Sequence, residues 1–268
     1  MKEMMKMYSI ETDNLSIAYE DNTIVKDFNI KIPKGKITII IGPNGCGKST
    51  ALKAIGRILK PKSGIVRLYG DNIDSLTTKE VARKMAILPQ SPQAPAGLTV
   101  KDLVSYGRFP HLQGFAKPNS DDKNIIKWAL KVTKLINFEN IPVDSLSGGQ
   151  RQRVWIAMAL AQQTDLILLD EPTTYLDLSY QLEVLKLLHN LNRKEGCTVA
   201  MVLHDLNLAS RFADYMIAIR DGVIIHHGKP QEVMTAEVLK DTFNIDAMIA
   251  TDPRTGSPTC ISYDLINE

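Results

Sequence analysis

Residues Gly42-Pro43-Asn44-Gly45-Cys46-Gly47-Lys48-Ser49 stand between a compact β-branched run, Lys36 to Ile41, and a segment of helical character, Ser49 to Leu59. No other stretch limits the fold of this chain as tightly. The octet satisfies G-x-x-x-x-G-K-[ST], and a strand before it with a helix after it is the setting that pattern requires. Its glycines let backbone N–H groups turn inward and cradle phosphate oxygens. The helix N-terminus adds positive dipole character. In such a loop Lys48 contacts the β- and γ-phosphates, and the Ser49 hydroxyl ligates Mg²⁺.

The rest of the chain is consistent with that start. Leu166 to Asp170 and Val199 to His204 read as further buried strands, and Leu178 to Arg193 has helical spacing at Leu182, Leu185 and Leu188. Strands alternating with helices imply a parallel-sheet core. Tyr8 to Ile40 alternates in short stretches broken by Glu20-Asp21-Asn22 and Pro33-Lys34-Gly35, which predicts strands and hairpins. Gly64 to Tyr69 and Val81 to Leu88 read as strand-containing segments. From Ser91 to about Ala161 the pattern changes to helices with loops, an inserted helical subdomain. Tyr215 to His227 reads as a closing hairpin that turns at Asp221-Gly222.

Composition and charge narrow the function. A chain of 268 residues with 44% hydrophobic and 23% charged residues can bury a full core, which argues against disorder. A net charge of +2 is too balanced for a nucleic-acid binder, so no nucleic-acid partner is expected. Met1 to Asn14 carries Lys2, Glu3, Lys6, Glu11 and Asp13, so it does not read as a secretory signal. No apolar run approaches the roughly 20 residues needed to span a bilayer. Cys46, Cys197 and Cys260 are an odd, scattered set, read as reduced thiols and not as a zinc site. These features predict a cytoplasmic chain whose membrane contact comes through another chain.

A second glycine motif, Leu146-Ser147-Gly148-Gly149-Gln150, separates the many P-loop enzymes from one another. Ser-Gly-Gly can serve as a flexible turn. Before the helical segment Arg151 to Ala161, however, its exposed amides make a second anion-binding helix terminus. With both motifs in place the chain resembles the nucleotide-binding subunit of an ABC transporter over nearly its whole length. A small-molecule P-loop kinase is contradicted by Leu146 to Gln150. The resemblance implies an α/β fold: a P-loop NTPase ABC cassette with a parallel-sheet core, an antiparallel β subdomain and an inserted α-helical subdomain. The expected boundaries are residues 7–258 for the cassette and 91–161 for the helical subdomain within it, with terminal extensions at 1–6 and 259–268.

The resemblance also assigns the site. The cofactors it implies are ATP and Mg²⁺. One copy binds nucleotide through Tyr19, stacked on adenine, and through Gly42, Pro43, Asn44, Gly45, Cys46, Gly47, Lys48, Ser49 and Thr50. Ser147, Gly148, Gly149 and Gln150 of a second copy contact the γ-phosphate, and Asp177 lies at the dimer seam, so a homodimer is implied. Leu166 to Leu169 delivers two carboxylates to the C-terminal edge of a strand, where open parallel sheets bind ligands. Asp170 resembles the residue that holds Mg²⁺ through water, with Ser49 and Gln90 as the other metal ligands. Glu171 resembles the residue that orients and helps deprotonate the attacking water. Gln90 reaches the metal and that water, and His204 contacts the γ-phosphate. Thr174 and Tyr175 depart from the family's commonest Ser-Ala-Leu-Asp. Cys46, beside Lys48 and a helix N-terminus, is expected to favour thiolate, so that alkylation would block activity.

Within the family the chain carries one cassette, no long heptad run and no fused membrane helices. That resembles the separate ATPase subunit of an importer. Thr99 to His111, Leu176 to Gln181 and His204 to Ala209 resemble ATPases serving iron–siderophore, haem and cobalamin uptake. The implied partners are integral membrane permease subunits and, indirectly, a solute-binding protein, at the cytoplasmic face of the cell membrane. Import of a ferric siderophore is the expected function. Haem, cobalamin or metal-ion import, or a soluble ABC ATPase that remodels a protein or nucleic-acid complex, are the alternatives.

Overall fold

The computed structural model describes residues 7–20, 22–112, 118–174 and 176–266. Residues 1–6, Asp21 and Tyr175 lie outside the described residues. The chain forms two compact units: one runs to Leu76 and resumes at Thr198, and the other is Thr77–Cys197.

The first unit opens with β1 (Tyr8–Tyr19), β2 (Asn22–Phe28), β3 (Lys31–Pro33) and β4 (Ile37–Ile41), then α1 (Lys48–Ile55), β5 (Ser63–Leu68) and β6 (Asp71–Asn72). β1 is the centre of an antiparallel sheet in the order β2-β1-β5-β6, with β3 also paired to β1. Alternation turns Ile10 and Thr12 inward, and an irregularity at Asn14 (φ 48°) shifts the phase so that Leu15 and Ile17 are buried beyond it, with Ile10, Leu15 and Ile17 at 0% exposure.

The second unit holds α2 (Thr78–Lys84), β7 (Met85–Leu88), α3 (Val100–Ser105), α4 (Ser120–Val132), α5 (Gly148–Ala161), β8 (Leu166–Leu169) and α6 (Leu178–Glu195). β7 and β8 pair in parallel, Met85 opposite Leu166 and Leu88 opposite Leu169. The stretch Val81 to Leu88, expected as strand-containing, divides at Met85. Its first half is the end of α2, which a capping box between Thr77 and Glu80 starts. The helical subdomain expected at 91–161 falls wholly inside this unit.

A buried ion pair organises those helices. Tyr106–His111 is a 3₁₀ turn, and Arg108 in it donates from Nε to Asp122 at 2.8 Å and from Nη1 to the Ala161 carbonyl at 2.8 Å. His111 Nε2 lies 2.8 Å from the Gln162 carbonyl. Basic side chains thereby meet carbonyls at the negative C-terminal end of α5. Burial would raise the Asp122 carboxyl, but hydrogen bonds from Arg108 and from the Asn119 backbone outweigh it and hold the group below its ordinary range. Gly107 lets the turn sit this close, since a Cβ there would come within 2.2 Å of the Met158 carbonyl oxygen.

The first unit resumes with β9 (Thr198–Val202), α7 (Leu206–Phe212), β10 (Tyr215–Arg220), β11 (Val223–Gly228), α8 (Pro230–Val233), α9 (Ala236–Phe243), β12 (Ile245–Thr251) and β13 (Pro258–Leu265). β10, β4 and β9 run parallel with β4 between the other two. β4 is buried on both faces, Ile37, Ile39, Ile40 and Ile41 all at 0% exposure, which is why it reads as a continuous apolar run. β10 and β11 form the expected hairpin. Asp221 and Gly222 turn it with φ of 50° and 76°, the positive pair a two-residue turn requires. That hairpin does not close the chain. β12 and β13 make a further antiparallel pair, tied to α7 by two hydrogen bonds between the Asn207 side chain and the Cys260 backbone. Residues 259–265, expected as part of an extension, are therefore strand.

Candidate active site

The first unit carries the phosphate loop. β4 ends at Ile41 and α1 begins at Lys48, so Gly42 to Gly47 is the whole connection. Gly42 passes so close to β10 that a Cβ would lie 2.1 Å from the Ile219 carbonyl oxygen. Gly47 caps α1 at φ 100° and offers no capping side chain, so nothing bulky or acidic from the cap shields the positive end of the helix. Lys48 is 4% exposed and curls back over the loop: Nζ donates to the Gly42 carbonyl at 2.9 Å and to the Pro43 carbonyl at 2.8 Å. Its charge is thereby held at the loop's own centre. Ser49 and Thr50 follow, half-buried, while Asn44 and Gly45 are exposed at the tip.

Two more expected residues lie in the same unit. Tyr19, the last residue of β1, is 47% exposed, so its ring is not spent on the core. His204 is exposed just beyond β9, between the buried Leu203 and Asp205, whose side chain caps α7 by accepting from Leu208 N at 2.8 Å.

Cys46 requires a correction. Its thiol is 4% exposed, and burial pushes its pKa up by more than the neighbouring Lys48 ammonium lowers it. Burial thus works against the thiolate character expected from the neighbouring lysine and helix terminus. Cys197 is more extreme. Burial first, then Asp165 and Glu195, push it up to about 12. Native-state alkylation at pH 7.5 is therefore expected to leave most Cys46 unmodified over a time that fully labels it in urea, as read by mass spectrometry. Rapid native labelling with loss of ATPase activity would restore the thiolate reading.

The second unit carries the carboxylates. Leu166 to Leu169 is buried throughout and ends on Asp170, at 3% exposure, and Glu171, at 8%. Glu171 has φ of 51°, a conformation rare for a residue with a long side chain. Its Oε2 accepts two hydrogen bonds, from Gln90 Nε2 at 2.5 Å and from Thr174 Oγ1 at 2.9 Å. The structure thus joins Gln90 to Glu171 and adds Thr174. The sequence had marked Thr174 only as a departure from a family pattern.

The other glycine motif starts α5. That helix begins at Gly148, three residues earlier than its apolar pattern suggests. Ser147 is its N-cap: Ser147 Oγ accepts from Gln150 N at 3.3 Å, and Gln150 Oε1 accepts from Ser147 N at 3.0 Å. Gly148 is exposed with open space around it. Gly149 lies beneath the Tyr180 ring, which a Cβ would meet at 3.2 Å. The face of Tyr180 also carries the Arg153 guanidinium at 5.4 Å. Asp177 caps α6, accepting from Tyr180 N at 3.0 Å and from Ser179 Oγ at 2.9 Å, and those bonds hold its carboxyl below the ordinary range. A local capping duty accounts for an aspartate at 177 on its own.

A glycine cradle with a buried ammonium fits a polyphosphate. Ser49 in the first unit, and Asp170 and Gln90 in the second, each offer a hard oxygen donor of the kind Mg²⁺ takes. Glu171, a nearly buried carboxylate with its orientation fixed, has the chemistry to accept a proton from water.

The family model for the ABC transporter matches residues 25–174, and the chain belongs to that family. It is accordingly an ABC-type ATPase. Among its relatives, an iron(3+)-hydroxamate import ATP-binding protein, FhuC of Bacillus subtilis (strain 168), is 59% identical over 260 residues, which are 97% of each chain. Among solved structures, an inward-facing conformation of a putative metal-chelate type ABC transporter matches with a TM-score of 0.82 at 30% identity, covering 95% of this chain and 97% of that one. The dimeric structure of a post-hydrolysis state of an ATP-binding cassette bound to ADP and Pi matches with a TM-score of 0.72 at 31% identity, covering 82% and 98%.

Proposed function

We propose that this chain is the ATP-hydrolysing subunit of an importer for a ferric siderophore, of hydroxamate or related type. The observation that carries this reading is the 59% identity to the iron(3+)-hydroxamate import protein over 97% of both chains. The reaction is hydrolysis of ATP to ADP and phosphate. The loop amides and Lys48 bind the phosphates, and Tyr19 stacks on adenine. Ser49, Asp170 and Gln90 hold Mg²⁺, which when bound offsets charge on the phosphates. Glu171 orients water and takes its proton, and His204 senses the γ-phosphate. A second copy lends Ser147 to Gln150, and Asp177 stands at the seam between copies. The dimeric ADP-bound relative supports that sharing. ATP closes the pair, and hydrolysis resets it.

The chelate itself never needs to meet this chain. No described helix is long and apolar enough to cross a membrane. As an importer's ATP-binding subunit, like the relatives it resembles, this chain works with permease subunits that pass the solute, attached at the cytoplasmic face, and with a solute-binding protein acting indirectly. Tagged purification from detergent-solubilised native membranes tests the reading. Recovery of a polytopic permease is expected. Recovery of soluble partners alone, in a preparation where known membrane complexes survive, would favour a remodelling ATPase instead.

A further inference from the structure

Two donors meet one oxygen of Glu171, and they differ in what else holds them. Gln90 is exposed, beyond the end of β7, and in the proposed reaction its amide also serves the metal. Thr174 belongs to the same tight turn as Glu171: its N–H donates to the Glu171 carbonyl at 3.3 Å while its hydroxyl donates to Oε2 at 2.9 Å. Backbone and side chain of Thr174 therefore grip the same residue. Glu171 needs such a grip. Its φ of 51° sets the start of the side chain in a sparsely populated backbone state, and a carboxyl on a two-carbon stem can still swing about several bonds.

We infer that Thr174 is a positioning residue for Glu171. Its hydroxyl fixes the carboxylate toward the attacking water from within the same turn, whether or not Gln90 also holds it. The inference rests on the reading of Glu171 as the proton acceptor. A misdirected base slows the chemical step without weakening nucleotide binding, so the effect belongs in kcat and not in KM. The hydroxyl is what matters, since Val has the same shape without a donor and Ser has the donor with less shape.

The test is steady-state ATP hydrolysis by the full-length chain carrying Thr174→Val or Thr174→Ser, with thermal melting as a folding control. Thr174→Val is expected to lower kcat about tenfold or more, the effect of losing one hydrogen bond to a charged group, with KM for ATP within about twofold. Thr174→Ser is expected to restore most of the rate. A Val variant as fast as the parent, or a Ser variant as slow as the Val variant, overturns the inference. Should the Val variant fail to fold, Thr174→Ala removes the hydroxyl with less demand on packing and is judged the same way. Glu171→Gln in the same assay separates the two claims. If that variant turns over normally, the reading of Glu171 itself is wrong. If it is inactive while Thr174→Val is fast, only the positioning role fails.

Discussion

Lys48→Ala is expected to reduce ATP hydrolysis by at least about 10²-fold, the scale seen when a preorganised donor to a charged reaction centre is removed. The geometry suggests two losses from one change. The ammonium compensates phosphate charge, and it also ties the loop together through the Gly42 and Pro43 carbonyls at 2.9 and 2.8 Å. Without it, nucleotide affinity falls along with turnover, because the cradle loses both its charge and its brace. Paired measurements of hydrolysis and of nucleotide binding check this. Near-normal turnover would show that the phosphate site lies elsewhere.

Glu171→Gln is expected to fail in a different way. The side chain keeps its length and still accepts from Thr174 and Gln90, but it no longer takes a proton from water. Loss of general-base assistance predicts a fall in hydrolysis of about 10²- to 10⁴-fold with ATP still bound. Under the shared-site reading, that trapped state accumulates as a dimer in MgATP, which size-exclusion chromatography detects. A variant that stays monomeric at saturating MgATP would remove the shared site for the isolated chain. The contrast between the two variants is itself informative: one empties the site and the other locks it full.

Much of this was readable before any coordinates. Local covalent constraint writes the phosphate loop, since a strand, a glycine turn and a helix leave the backbone few options. β4 and β8 are short apolar runs because both faces of each are covered. What escaped depends on contacts distant in sequence or on competing local signals. Spacing puts Lys48 near Cys46 but says nothing of burial, and burial decides the thiol. The glycines of Ser147-Gly148-Gly149 look like loop because glycine disfavours helix interiors, yet the Ser147–Gln150 capping box places them in the first turn, where amides have no intrahelical carbonyl to bind. α2 hid for the opposite reason: its start signal, Thr77 with Glu80, was present but shared a stretch with the apolar run of β7. β13 begins at a proline and leaves most of its side chains in solvent, so no buried stripe announced it. Thr174 could have been found from the sequence, because a hydroxyl three residues past a glutamate on a turn can reach its side chain.

Tyr180 gives the second unit a further property. Its ring roofs Gly149 in the first turn of α5, while its own N–H is bound by Asp177 at the start of α6. Arg153, on α5, lies against the same ring and pairs with Glu183 on α6. The two helix starts are therefore geared together through a single aromatic plate. Under the proposed shared site, a push on Asp177 from a neighbouring copy would reach Gly148 and Gly149 through that ring, so the two pieces this subunit would offer across the seam would move as one tooth.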